Sequence, residues 1–302
     1  MGTFNRRSTA EEVSAGVDLS GRHAIVTGAN TGIGKETARA LALCGASVTM
    51  ACRNLEKAEI ARDELLAASS RIGKDQLEVM RLDLGQQAQV RDFAKAFLAT
   101  NRPIHLLINN AGVMLPDRRE TSDGFEAHFG VNHLGHFLLT NLLLERIRES
   151  APARIVNVSS DALHFSNMSE KLEDMNWEQR SFSGMRSYGD SKLMNVLFSN
   201  ELTRRFADEG VVSNALHPGI VKTELGRDQP WWMNVVGLFM LPVSKSPEQG
   251  AATTLYVATN DELGRKGAGY YADCAPGRVH RLSGNAQLES RLWQKSEELV
   301  GL

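Results

Sequence analysis

Several things are scarce in this 302-residue chain, and each scarcity excludes a class of protein. There are three cysteines, Cys44, Cys52 and Cys274, with no paired or metal-like spacing. That argues against a disulfide framework and for a reducing compartment. Long apolar runs are missing too. The longest, residues 231–243, is too short to span a bilayer and contains Asn234 and Pro242, so no transmembrane span is expected. Charge of one sign is not in excess. Lys and Arg number 34 against 36 Asp and Glu, a net −2, so neither nucleic acid nor an anionic membrane is expected as a partner. Arg6 and Arg7 lead no apolar core of the kind a secretory signal needs. The expected address is cytoplasmic.

What is present is alternation. Short apolar, β-rich runs at 23–27, 47–51, 77–82, 104–108, 154–158 and 211–216 are separated by helical patterns, and 269–271 could add a last strand. Helices are expected over 35–43, 54–68, 86–99, 123–149, from Tyr188 towards Glu209, over 248–259 and over 288–299. Ser246-Pro247 supplies an N-cap and an N1 proline for one of them. Alternating helices with nearly all-apolar strands predict a parallel sheet covered on both faces. The expected fold class is α/β, a single-domain doubly wound (Rossmann) sheet with helices on both faces. A polar arm, 1–20, precedes a domain over 21–302.

Such sheets bind ligands at the carboxyl ends of their strands. After the first strand stands Gly28-Ala29-Asn30-Thr31-Gly32-Ile33-Gly34. Its glycines permit a tight turn and let backbone N–H groups approach a pyrophosphate at a helix N-terminus. After the second stand Arg53 and Asn54, with no carboxylate. An acid here suits the ribose 2′-hydroxyl of NAD, whereas arginine accommodates the 2′-phosphate of NADP; NADP(H) is the expected cofactor. Asp83 and Leu84 follow the third strand, with Asp83 placed towards the adenine edge. After the fourth come Asn109, Asn110, Ala111 and Gly112, after the fifth Ser159 and Ser160. After the sixth come His217, Pro218, Gly219, Val221 and Thr223, a turn that could frame a nicotinamide.

Tyr188 and Lys192 lie four residues apart at the start of a helical pattern, and therefore on one face. An ammonium beside a phenol favours the phenolate. The phenol, which ordinarily titrates near about 10, is expected to move towards neutrality and serve as acid or base.

From about residue 19 to 275 these motifs resemble the short-chain dehydrogenase/reductase superfamily: the glycine-rich loop, Asn109-Asn110-Ala111-Gly112, the serine after the fifth strand, Tyr-x-x-x-Lys and the Pro-Gly turn. Within it, residues 28–37, 109–114, 130–140 and 150–160 are most similar to retinol dehydrogenase-like members and to the oxidoreductase domain of the WW-domain-containing oxidoreductase. The N-terminal anchor of membrane-bound retinol dehydrogenases is not expected here. The segment Val131–Phe137 resembles the one carrying the family's active-site asparagine, which implies Asn132. Ser160 matches the family's second serine, with Ser159 the runner-up. Ser160 and Tyr188 are 28 residues apart, and an insertion, 161–186, fills the interval.

The resemblance implies a mechanism. Tyr188 gives its proton to a carbonyl oxygen, Ser160 bonds that oxygen, Lys192 lowers the tyrosine's pKa and holds the nicotinamide ribose, and Asn132 holds a water leading to solvent. Residues 224–245, rich in apolar side chains around Trp231 and Trp232, are expected to form a substrate lid. The expected substrate is a lipophilic aldehyde, ketone or alcohol, with reduction favoured. Peripheral membrane contact and self-association stay open. The alternative is a catalytically weak, NADP(H)-sensing binding protein on the same scaffold. His133 and His136 have an i, i+3 spacing but no third ligand, so no metal is expected; His164 and His217 read as surface and turn residues.

Overall fold

The computed structural model describes residues 4–221 and 244–302. Their strands are β1 (His23–Thr27), β2 (Ser47–Cys52), β3 (Leu77–Arg81), β4 (Leu106–Asn109), β5 (Ala153–Val158), β6 (Val211–His217), β7 (Tyr270–Ala272) and β8 (Ala275–Pro276). They form one sheet in the order β3-β2-β1-β4-β5-β6-β7-β8. All pairings are parallel except that of β7 with β8. The order reverses between β1 and β4, and a doubly wound sheet leaves its ligand crevice at that point.

Strand periodicity divides the core. On β1, Ile25 faces one hydrophobic cluster, while Ala24 and Val26 face the other. The first face is covered by α4 (Gln87–Ala99), α5 (Gly135–Glu149), α6 (Gly184–Phe206) and α8 (Ala286–Val300), and the second by α1 (Ala10–Val13), α2 (Gly32–Leu43), α3 (Leu55–Ala68) and α7 (Pro247–Thr259). Phe97 and Phe137 are fully buried; each such side chain is worth about 1.5–3 kcal/mol of burial. Trp293 of α8 meets Phe137 edge-on at 5.0 Å and seals α5 and α6.

Three elements differ from the sequence reading. The N-terminal arm carries a turn of helix, α1, closed by a capping box between Thr9 and Glu12, with Ala10 and Val13 buried. The helix expected from Asp123 begins later, with a π-helical stretch His128–Leu134 running into α5. Before it, the Phe125 carbonyl accepts from Thr121 N, and Gly124 turns at φ +82°, which ends any helix there. The short antiparallel β8 was not anticipated. Thr223 and residues 224–243 of the expected lid lie outside the described residues.

Candidate active site

The first feature at the switch point is the turn from β1 into α2. Gly28 adopts φ +67°, open to glycine at little cost. Thr31 is the N-cap of α2, yet its side chain caps nothing. The first amides of a 12-residue helix therefore point out with no side-chain acceptor, the arrangement that receives a phosphate. Gly34 packs so tightly on the Gly28 carbonyl that a Cβ there would also lie 2.5 Å from Asn110 Nδ2. A Cβ at Gly250 would lie 2.7 Å from Val221 and 3.2 Å from Ile33. The glycine-lined, uncapped helix end thus fits a dinucleotide's diphosphate.

The neighbouring positions follow the strand ends. Arg53 is exposed just beyond β2, and Asn54 caps α3 by accepting from Lys57 N at 2.9 Å. Asp83 accepts from Gly85 N and Gln86 Nε2, which fixes the turn before α4, while Leu84 is buried. Asn110 Nδ2 donates to the Thr27 carbonyl at 2.7 Å, and Asn110 N and Ala111 N both donate to Thr27 Oγ1 at 2.9 Å. A Cβ at Gly112 would lie 3.2 Å from Asn132 Oδ1 and 3.4 Å from Lys192 Nζ. Beside Pro218, Gly219 at φ +94° lies against the Lys245 side chain. Val221 forms an isolated parallel bridge with Lys245.

Ser160, Tyr188, Lys192 and Asn132 come together above β4 and β5. Lys192 is buried, donates to the Val158 carbonyl at 3.0 Å, and has its Nζ 5.5 Å from the centre of the Tyr188 ring. Ser160 stands near enough to the Tyr188 phenol to oppose part of its pKa rise, and its Oγ accepts from Ala162 N at 3.2 Å. Ser159, the runner-up, is spent on the Lys192 carbonyl at 2.6 Å. The Asn132 amide forms a two-bond clasp with the Val113 backbone and donates to Ser191 Oγ.

One electrostatic expectation is overturned. Burial pushes the Tyr188 phenol up to about 12, against a smaller opposing effect of Ser160. Burial also pushes Lys192 down to about 8. Desolvation penalises both charged forms, and for the phenol it is the larger effect, so the pair's spacing does not draw Tyr188 towards neutrality.

The sequence reading missed Thr27, His128 and Asp190, and the tertiary partners of the histidines it named. The Asn132 carbonyl beside His136 Nδ1 can only accept, so Nε2 is the acceptor and takes the Thr27 Oγ1 proton at 2.9 Å, while Thr27 Oγ1 accepts two backbone bonds and has the Ile108 carbonyl 3.4 Å away. That bookkeeping assigns the His136 proton to Nδ1, which donates to the Asn132 carbonyl at 3.0 Å. His136 thus ties the glycine-rich end of β1 to the π-helical asparagine. Burial pushes it down to about 4. His133 instead bonds Ser296 Oγ and packs on Phe129 and Phe137. His128 accepts from Leu115 N, which leaves its Nδ1 proton for Glu126 and Ser187, and its ring meets that of Tyr188 edge-on at 5.8 Å. His217 accepts from Asp161 N, and the His164 ring lies 6.2 Å from that of His280. Asp190, within the Tyr-x-x-x-Lys run, is buried. The signal for these residues lay in tertiary contacts, not in spacing.

A doubly wound sheet with an uncapped glycine-lined helix at its switch point, beside a buried tyrosine–lysine pair and a half-buried serine, defines an oxidoreductase that uses a nicotinamide dinucleotide. The chain belongs to the short-chain dehydrogenase family, whose model matches residues 22–171. It is 45% identical to retinol dehydrogenase 11 of Homo sapiens over 286 residues, 95% of this chain and 88% of that one. It is 40% identical to the WW domain-containing oxidoreductase of Gallus gallus over 305 residues, 98% of this chain and 72% of that one. A crystal structure of an uncharacterized protein from Mycobacterium Paratuberculosis superposes with a TM-score of 0.75 at 35% identity, covering 96% of this chain and 97% of that one. The likeness to retinol dehydrogenases runs through nearly the whole chain, and nothing in it favours a cofactor sensor without chemistry.

Proposed function

We propose that this protein is an NADP(H)-dependent oxidoreductase that interconverts a lipophilic aldehyde or ketone and its alcohol, working chiefly as a reductase. The observation that carries the cofactor choice is Arg53, exposed just beyond β2, with no carboxylate between Ala51 and Leu55. A guanidinium there answers a 2′-phosphate and an acid would repel it. The names of the retinol dehydrogenases it resembles support a lipophilic substrate. NADPH is the usual cytoplasmic reductant, so the cytoplasm is the compartment this reading favours.

The residues divide the work. The uncapped amides of α2 hold the diphosphate, Arg53 the 2′-phosphate, and Lys192 the nicotinamide ribose. Pro218 and Gly219 frame the nicotinamide, and Asp83 meets the adenine. The bound dinucleotide supplies the hydride. Tyr188, protonated throughout the neutral range, donates its proton to the carbonyl oxygen. Ser160, beside that phenol, steadies the charge growing on the same oxygen. Asn132 and Lys192 pass a replacement proton from solvent. In oxidation the phenol must first lose its proton and then takes that of the alcohol.

The test is a panel of lipophilic aldehydes and ketones offered with NADPH and NADH in parallel. One charged contact, worth about 1.5–3 kcal/mol, gives NADPH roughly a 10- to 100-fold higher kcat/KM. A preference for NADH overturns the reading of Arg53. Binding of NADPH without turnover of any member of the panel overturns the enzymatic reading.

A further inference from the structure

The insertion 161–186 is not a surface excursion. Leu163, Met168, Leu172 and Met175 are buried in the same cluster as the helices beneath, and Trp177 is buried as well. Its attachment to α6 centres on Asp190, 1% exposed and two residues from Tyr188. Every hydrogen bond that Asp190's carboxylate accepts comes from the insertion. Ser166 Oγ donates to Oδ1 at 2.7 Å, Asn167 N to Oδ1 at 3.1 Å, and Arg180 Nη2 to Oδ2 at 2.7 Å. Arg180 is itself held, lying 3.6 Å over the Trp177 ring and donating to Asn167 Oδ1 at 2.8 Å.

Neighbouring contacts bring the segment to the tyrosine. A Cβ at Gly189 would strike the Ala162 carbonyl at 2.5 Å, so the insertion backbone lies directly on the helix beside Tyr188. Phe182 stacks on His128 at 6.4 Å, and His128 meets the Tyr188 ring. Asn176 Oδ1 accepts from Glu126 N at 2.6 Å. Phe165, on the same segment, is 61% exposed. A buried carboxylate satisfied entirely by one segment is a costly arrangement unless that segment has to be held in place.

We propose that residues 161–186 form the wall that selects the substrate's apolar chain, and that Asp190 is the positioning residue that fixes this wall to the catalytic helix. The inference rests on the oxidoreductase reading above. It concerns selectivity rather than the proton transfer, so its consequences separate from those of losing Tyr188.

Asp190→Asn keeps the shape but loses the charge and turns an amide towards Arg180. Decanal and benzaldehyde, each with NADPH, distinguish a long apolar chain from a compact carbonyl. For the variant, kcat/KM should fall about tenfold for decanal, chiefly through KM, with benzaldehyde and the NADPH Kd within about twofold. Amide hydrogen exchange should rise within 161–186 and not in β1–α2. Ser166→Ala, a milder loss, should move both readouts in the same direction if Asp190→Asn folds poorly. Equal losses for both aldehydes, or unchanged exchange in 161–186, overturn the proposal. A wild-type protein inert towards both aldehydes overturns the oxidoreductase reading and the selecting role together, and the exchange comparison then decides the anchoring by itself.

Discussion

Gly34→Ala tests whether the nucleotide turn is built as described. A Cβ at position 34 would press into the Gly28 carbonyl and lie 2.5 Å from Asn110 Nδ2. The carbonyl belongs to the end of β1 and has little freedom. Asn110 would have to swing away and lose its 2.7 Å bond to the Thr27 carbonyl. Overpacking of this kind costs about 1–3 kcal/mol, and the buried bond adds about 1 kcal/mol. The sum, about 2–4 kcal/mol, should lower Tm by roughly 4–8 °C for a chain this large. The N-terminus of α2 must shift with it, so NADPH should bind at least about tenfold more weakly. Thermal unfolding and a fluorescence titration with NADPH give the two numbers. Gly16→Ala is the control: at φ +79° with nothing within 4 Å, it meets backbone strain of about 1–2 kcal/mol and no clash. A Gly34→Ala protein that melts and binds like wild type would refute the packing argument.

Three further outcomes follow from the same geometry. His136 and His133 are held neutral, at about 4 and about 3 against an ordinary 6.5, chiefly by burial. The unfolded chain binds those protons first, so stability falls as pH drops from about 6.5 towards 4, by about 3 kcal/mol for His136. Urea midpoints between pH 7 and 4.5 should show the fall, and His136→Gln should make it shallower; parallel curves contradict it. Arg53→Glu should cut kcat/KM with NADPH by about 100-fold and leave NADH little changed or improved, read from initial rates with both cofactors. Thr27→Val strands two backbone N–H groups and His136 Nε2, and should lower stability by about 3 kcal/mol in chemical denaturation; a loss below about 1 kcal/mol contradicts the assigned network.

The parallel sheet and its strand ends were legible because apolar runs of strand length alternate with helical periodicity, and a parallel sheet needs both faces covered. The glycine loop, Arg53, Asn110 and the Tyr188–Lys192 pair could be placed because each stands within a few residues of a strand or helix end. The capping box of Thr9 and Glu12 was equally visible and was passed over in a short polar arm. Asp190 was hidden by its neighbours: between Tyr188 and Lys192 it reads as an exposed helix position, and only the folded-back insertion shows why it is buried. His136 could be seen as a neighbour of Asn132 but not as a link to Thr27, which is 109 residues away. The direction of the Tyr188 shift was misjudged because spacing reveals a charge nearby but not the loss of water around both groups.

The central claim is that Tyr188 is the proton donor. Stopped-flow oxidation of NADPH by an accepted aldehyde, run on Tyr188→Phe with the NADPH Kd measured on the same sample, tests it most directly. The ring and its contacts with His128 and Lys192 survive the change; only the hydroxyl is lost. The account predicts a hydride-transfer rate lower by about 100- to 10,000-fold with the Kd within about twofold of wild type. A variant that keeps more than about a tenth of the wild-type rate contradicts it.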